Sequence, residues 1–121
     1  MARRDLTGAI DFAYLESYTG GDLAIVTEVF DIFEEQAALW LRLLTPDAPA
    51  GSWRDAAHTM KGAALGIGAN DLAQACAHAE TDAANLATRA ALMDGVVTTL
   101  NSVLGDIAAW RHEQLLQGLK G

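Results

Sequence analysis

Only one cysteine, Cys76, occurs among the 121 residues, which excludes an internal disulfide and suits a reducing cytoplasm. Its side chain reads as a small buried hydrophobe on a helix. Prolines number two and aromatics make up 7% of the chain, against 51% hydrophobic residues, so small aliphatic side chains must build the interior and little interrupts helix formation. Basic residues are scarce, 8 against 16 acidic ones, for a formal net charge of −8. That balance argues against nucleic acid, whose binding rests on neutralising phosphates with Lys and Arg, and against acidic membrane surfaces. No apolar run reaches the ~18 residues of a membrane span, and nothing after Arg3 and Arg4 resembles a secretory leader. A Walker A loop and protein-kinase loops are also missing, and Gly66-x-Gly68 is too short for a phosphate loop, so an autonomous ATP-dependent kinase is not expected.

What is present is helical periodicity. The length fits a single domain over residues 1–121 with one core, and residues 1–8 are expected to fray. Asp11 is a plausible N-cap for a short helix carrying Phe12, Tyr14, Leu15 and Tyr18, ended by Gly20-Gly21. From Asp22 to about Leu44, the residues Val26, Val29, Phe30, Phe33, Ala37, Trp40 and Leu44 recur at steps of three and four, the mark of a core-facing stripe. Ile32, Leu39 and Leu43 fall outside it. The segment from Thr45 to Gly51, with Pro46 and Pro49, breaks that helix. Ser52-x-x-Asp55 resembles a capping box for a third helix ending near Gly66 to Ala69. Asn70 or Asp71 can cap a fourth, whose apolar face of Leu72, Ala73, Cys76, Ala79 and Ala83 is narrow and small. A fifth helix is expected from Thr88 to about Gln117, with Leu92, Val96, Leu100, Val103, Ile107 and Trp110 as its seam. Short connections predict an antiparallel up-down four-helix bundle, all-α, with the short first helix covering one end.

The third helix holds the residues of chemical interest. His58, Lys61, Gly62 and Leu65 share one sector, because residues three, four and seven apart stack along a helix face. Gly62 costs about 0.8–1.0 kcal/mol relative to Ala in a helix interior, and the simplest reason for it is access to the imidazole by something large. With a reference pKa of about 6.5, an exposed imidazole is mostly neutral at pH 7 and can act as a nucleophile without a separate base. His58 could accept a phosphoryl group on one ring nitrogen, with Lys61 as the cation that the loose, charge-rich transfer state requires. Glu80 lies as far after Ala69 as His58 lies before it, so an antiparallel hairpin sets the two side by side. A carboxylate there could accept from Nδ1, fix the tautomer and leave Nε2 free.

His58-x-x-Lys61-Gly62-Ala63-Ala64, followed by Gly68-Ala69, Leu72, Cys76 and Glu80, resembles the signature of histidine-containing phosphotransfer (HPt) domains, H-x-L-K-G-(S/A)-x-x-x-x-G-A-x-x-L. Met60 stands where leucine is usual, and Gly66 adds a second in-helix glycine; neither removes a reactive group. Phe33 and the Gly20-Gly21-Asp22 turn resemble the family further upstream. The resemblance implies a phosphocarrier in a multistep phosphorelay rather than an enzyme with its own cofactor. His58 would exchange a phosphoryl group with the aspartate of response-regulator receiver domains, which bring their own Mg²⁺, and a hybrid histidine kinase is a further implied partner. In relatives, a Glu or Gln matching Glu80 is thought to orient the ring.

A docking surface is expected around His58, from Ile32, Leu39 and Leu43 on the second helix and Ala57, Met60, Ala64 and Leu65 on the third. His78 and His112 lack comparable surroundings and read as incidental. No metal site is expected: Cys76 and His78, two apart, point about 200° apart on a helix, and no second cluster completes a ligand set. The start at Met1 and the lack of a linker favour a free-standing protein over a domain excised from a larger histidine kinase, and a monomer is expected. Two competing readings are a helical adaptor that binds a signalling partner without chemistry, and a dimerisation domain. The latter class carries an acidic residue next to its histidine, whereas Thr59 follows His58.

Overall fold

A computed structural model describes residues 6–120, and among them there are helices and no strand. In chain order they are α1 (Phe12–Thr19), α2 (Leu23–Leu41), α3 (Ala50–Gly66), α4 (Asn70–Thr81), a 3₁₀ turn (Leu86–Thr88) and α5 (Arg89–Lys120). Helix α3 packs on α4 and α2, α4 packs on α5, and α5 returns to α2, which closes the four-helix bundle; α1 lies against α2. No described helix is long and apolar enough to cross a membrane.

The first two helices begin where side-chain caps are available. The Asp11 carboxylate accepts from the Tyr14 amide at 3.1 Å, and that of Asp22 from Ala24 and Ile25 at 2.9 and 3.3 Å, each satisfying amides that a helix start leaves unpaired. Gly20, at φ 69°, closes α1 by donating its amide to the Glu16 carbonyl.

The next two starts differ from expectation. Helix α3 begins at Ala50 behind Pro49, with no side-chain cap, so Ser52 lies inside the first turn instead of capping it. Proline's fixed φ already suits a helix entry, and its carbonyl accepts from the Trp53 amide at 3.0 Å. Helix α4 starts at Asn70 after Ala69, and neither Asn70 nor Asp71 caps it. Here the preceding turn sets the geometry. The Ala69 amide reaches back to the Ala64 carbonyl at 2.8 Å and the Gly68 amide to that of Leu65 at 3.2 Å, the paired bonds of a Schellman motif. Gly68 has φ 75°, and a Cβ there would lie 2.9 Å from the Asp11 carbonyl oxygen, so only glycine fits. The Asp11 amide donates to the Gly68 carbonyl at 2.9 Å, fastening the start of α1 to the α3–α4 turn.

Small residues let α3 and α4 approach closely: Ala56, Ala57, Ala64, Ala69 and Ala79 are fully buried, with Trp53, Met60, Leu72 and Cys76 filling the space between. On α2 the expected stripe is buried at Val26, Phe30, Phe33 and Ala37 and half-buried at Val29 and Trp40. The Phe30 ring meets Trp110 of α5 edge-on at 5.2 Å.

Two buried polar groups hold segments that periodicity does not reach. Arg89 is 1% exposed; its guanidinium stacks over Trp53 at 4.7 Å and donates to the carbonyls of Pro46, Ala48 and Ala83 at 3.0, 2.6 and 2.8 Å. Trp53 in turn donates its indole N–H to the Ala79 carbonyl at 2.7 Å. Asp106 of α5 accepts from the Thr7 amide and hydroxyl and the Ala9 amide at 2.9, 3.0 and 3.1 Å. Of the residues expected to fray, 1–5 lie outside the described residues, whereas Thr7 is tied to α5.

Candidate functional site

His58 stands near the middle of α3 with its side chain 65% exposed. Its orientation follows from the helix. Ala57, Met60 and Ala64 point into the bundle, so His58 and Gly62 point out of it. The reversal at Gly68 brings α4 back antiparallel and sets Glu80 at the level of the ring. Glu80 Oε2 lies 2.8 Å from Nδ1 of His58, and its Oε1 accepts from Nζ of Lys61 at 2.8 Å. One carboxylate therefore spans both α3 side chains. The Lys61 ammonium holds the Glu80 carboxyl below its ordinary range, partial burial opposes this, and the His58 contact adds to the lowering. With Glu80 ionised it can only accept, so a neutral His58 carries its proton on Nδ1 and exposes the Nε2 lone pair.

Gly62 is exposed, and a Cβ built on it would meet nothing within 4 Å. Packing within the chain thus gives no reason for a glycine, and the space beside His58 is open. Cys76, one turn before Glu80, is fully buried. Burial pushes its thiol up to about 12, with Lys61 pulling down and Glu80 pushing up, so it is neutral and unreactive at physiological pH. His78 and His112 are exposed and make no side-chain hydrogen bond among the described residues. Among those residues no group of three or more His, Cys, Asp and Glu could hold a metal ion.

The expected docking surface needs correction. Ile32, Leu39, Leu43 and Leu65 are 41–54% exposed, but Ala57, Met60 and Ala64 are 0% exposed and belong to the core. They share a helix with His58 without sharing its face, being turned from it by about 100° or more at 100° per residue. The periodicity also left a feature unseen, an open groove of 510 Å³ between α1, α2 and α3. Tyr14 and Tyr18 form one wall, Ile32, Phe33 and Gln36 another, and Ala63 and Gly66 the floor. The tyrosine rings meet edge-on at 5.5 Å, and the Tyr18 hydroxyl donates to the Gly66 carbonyl. The available signal was two tyrosines four apart on a helix too short to bury both. The groove begins five residues beyond His58 at Ala63, about 8 Å along the helix at ~1.5 Å per residue.

The model of the Hpt domain family matches residues 26–118. This chain belongs to the Hpt domain family. Among solved structures, this Hpt domain is similar to the histidine phosphotransferase ShpA from Caulobacter crescentus, with 48% sequence identity and a TM-score of 0.77 over 93% of this chain and 99% of that one. No match was found among curated proteins. Helix α1, which supplies the tyrosine wall, precedes the part of the Hpt domain that the family model spans.

Proposed function

We propose that this Hpt domain is a phosphocarrier of a multistep phosphorelay, taking a phosphoryl group onto Nε2 of His58 from the aspartyl phosphate of a response-regulator receiver domain and passing it to another. The observation that carries the assignment to His58 is the Glu80 carboxylate at 2.8 Å from Nδ1 of a ring that is otherwise open to solvent. In the transfer the Nε2 lone pair forms the N–P bond while the P–O bond to the aspartyl oxygen breaks, and its electrons return to the departing carboxylate. No proton has to leave the ring. Nδ1–H stays on Glu80, which faces the positive charge that grows on the imidazole. The Lys61 ammonium, one turn away, meets the negative charge spread over the phosphoryl oxygens. Mg²⁺ belongs to the receiver and is not a cofactor of this chain.

Docking brings the receiver's phosphorylated edge over the gap at Gly62. Ile32 and Leu65, with the tyrosine-walled groove beyond them, offer the apolar area that such a contact requires. A hybrid histidine kinase carrying a receiver domain is a fitting donor. The carrier works as a monomer, since one copy supplies the whole His58, Lys61 and Glu80 set, and its single cysteine suits the reducing cytoplasm.

The test is incubation with a phosphorylated receiver domain followed by detection of acid-labile, base-stable label. The parent chain is expected to take label and His58→Gln to take none. Label retained at the parental rate in His58→Gln would refute the assignment, and a parent that binds receivers without ever taking label would be an adaptor.

A further inference from the structure

The charges of the His58 set fall short of what a phosphoryl group requires. Lys61 faces Glu80, so with a neutral ring the three side chains carry no net charge. A phosphoryl group adds about −1.5 to −2 at pH 7, on a chain whose formal net charge is already −8. Among the other described basic side chains, Arg89 is buried on three carbonyls and Arg111 is paired with Asp31 and Glu34. Arg42 and Arg54 are exposed and pair with no carboxylate among the described residues. Arg42 closes α2. Arg54 lies on α3, one turn before His58.

At about 100° per residue, Arg54 is turned about 40° from His58 and Lys61 about 60°, both to the same side. One stands about 6 Å before the histidine along the axis and the other about 4.5 Å after it. The two cations bracket the imidazole. Asp55, the nearest acid in sequence, is turned about 60° to the opposite side. A guanidinium presents a planar fork of N–H donors that matches two phosphoryl oxygens, and its stem spans the ~5–6 Å between Cβ atoms four residues apart.

We propose that Arg54 is a second phosphoryl-binding residue, donating to the phosphoryl oxygens from the N-terminal side of His58 while Lys61 lies on the C-terminal side. This rests on the reading of His58 as the phosphoryl acceptor. As the N–P bond forms and the P–O bond to the aspartyl oxygen breaks, the bonding pair returns to the departing carboxylate, and both cations keep their protons. Arg54 brings uncompensated charge to the developing oxygens, where the Glu80-bound ammonium is already partly neutralised.

The experiment is single-turnover transfer from the phosphorylated receiver domain that labels the parent chain, over a range of receiver concentrations. Arg54→Gln is expected to lower the limiting rate about tenfold or more, the size of a lost charge-assisted hydrogen bond. The half-saturating concentration should stay within about twofold of the parent. Arg42→Gln removes the same charge elsewhere and is expected to change neither quantity. In ¹⁵N NMR, the Nε signal of Arg54 should move when the parent takes label and stay in place for His58→Gln in the same mixture. An unchanged limiting rate in Arg54→Gln overturns the proposal, even with a higher half-saturating concentration, because that would confine Arg54 to docking. Equal slowing by Arg42→Gln also overturns it, since overall charge would then suffice. A parent that takes no label sinks the acceptor reading and this proposal with it, whereas a labelled parent matched by Arg54→Gln sinks this proposal alone.

Discussion

Protonating Glu80 would remove both of its contacts at once, since neither the Lys61 ammonium nor the Nδ1 donor is held by a neutral carboxyl as it is by an ion. The Glu80 carboxyl is held below its ordinary value of 4.5, first by Lys61 and then by His58. A depressed carboxyl stabilises the fold fully above its unfolded value and loses that contribution as pH falls through the lower folded value. The stability difference between the parent and Glu80→Gln should therefore be flat above about pH 5 and shrink below it. Urea denaturation at a series of pH values checks this, and a difference that grew on acidification would contradict the ion pair. At this scale His58, Lys61 and Glu80 were all readable in the amino-acid order, because helical spacing and distance from a turn are local quantities. The sharing of one carboxylate by two side chains was not, since it depends on how closely α3 and α4 approach. Ala57, Met60 and Ala64 were misplaced because apolar character alone does not separate the inward face of an alanine-rich helix from its rim.

Helix α3 carries a glycine that the fold itself does not use. Replacing Gly62 by Ala puts a methyl group where the chain has no neighbour within 4 Å, so the helix should gain about 0.5–1 kcal/mol. The same methyl narrows the approach to His58. Gly62→Ala is thus expected to raise the thermal midpoint by a few degrees and to slow labelling by a receiver several-fold, with larger side chains slowing it further. A variant both more stable and equally fast would show that the gap has no part in docking. Element boundaries were readable where a side chain ends or starts the helix, as at Asp11, Gly20 and Asp22. They shifted at α3 and α4, where a rigid proline and a Schellman turn did the work expected of Ser52, Asn70 and Asp71. The groove between α1 and α2 escaped the reading because it is made by two helices failing to fill a space, and no single pattern encodes a gap.

The bundle as a whole is closed by long-range contacts that periodicity does not announce. Arg89 spans the α2–α3 loop, the end of α4 and Trp53, with its guanidinium on three carbonyls and no carboxylate among the described residues. Arg89→Met keeps bulk but strands those acceptors, each worth about 1–3 kcal/mol when left unpaired, while removing a charge that is itself costly to bury. A net loss of about 2–4 kcal/mol is expected, read as a lower urea midpoint with an unchanged slope, and a neutral result would mean that water reaches the freed carbonyls. At this scale the all-helical bundle followed from composition and spacing, whereas Arg89 and Asp106 drew no reading, since a lone charge in a helical stretch carries no sign that the fold will bury it. Cys76 has a practical side. It is the one thiol in 121 residues, it is shut inside the core, and its proton is held up to about pH 12. A maleimide dye or nitroxide would pass over it at neutral pH, so a cysteine introduced at Leu39, Leu43 or Leu65 could be labelled alone, giving a spectroscopic ruler for partner approach on an otherwise native chain.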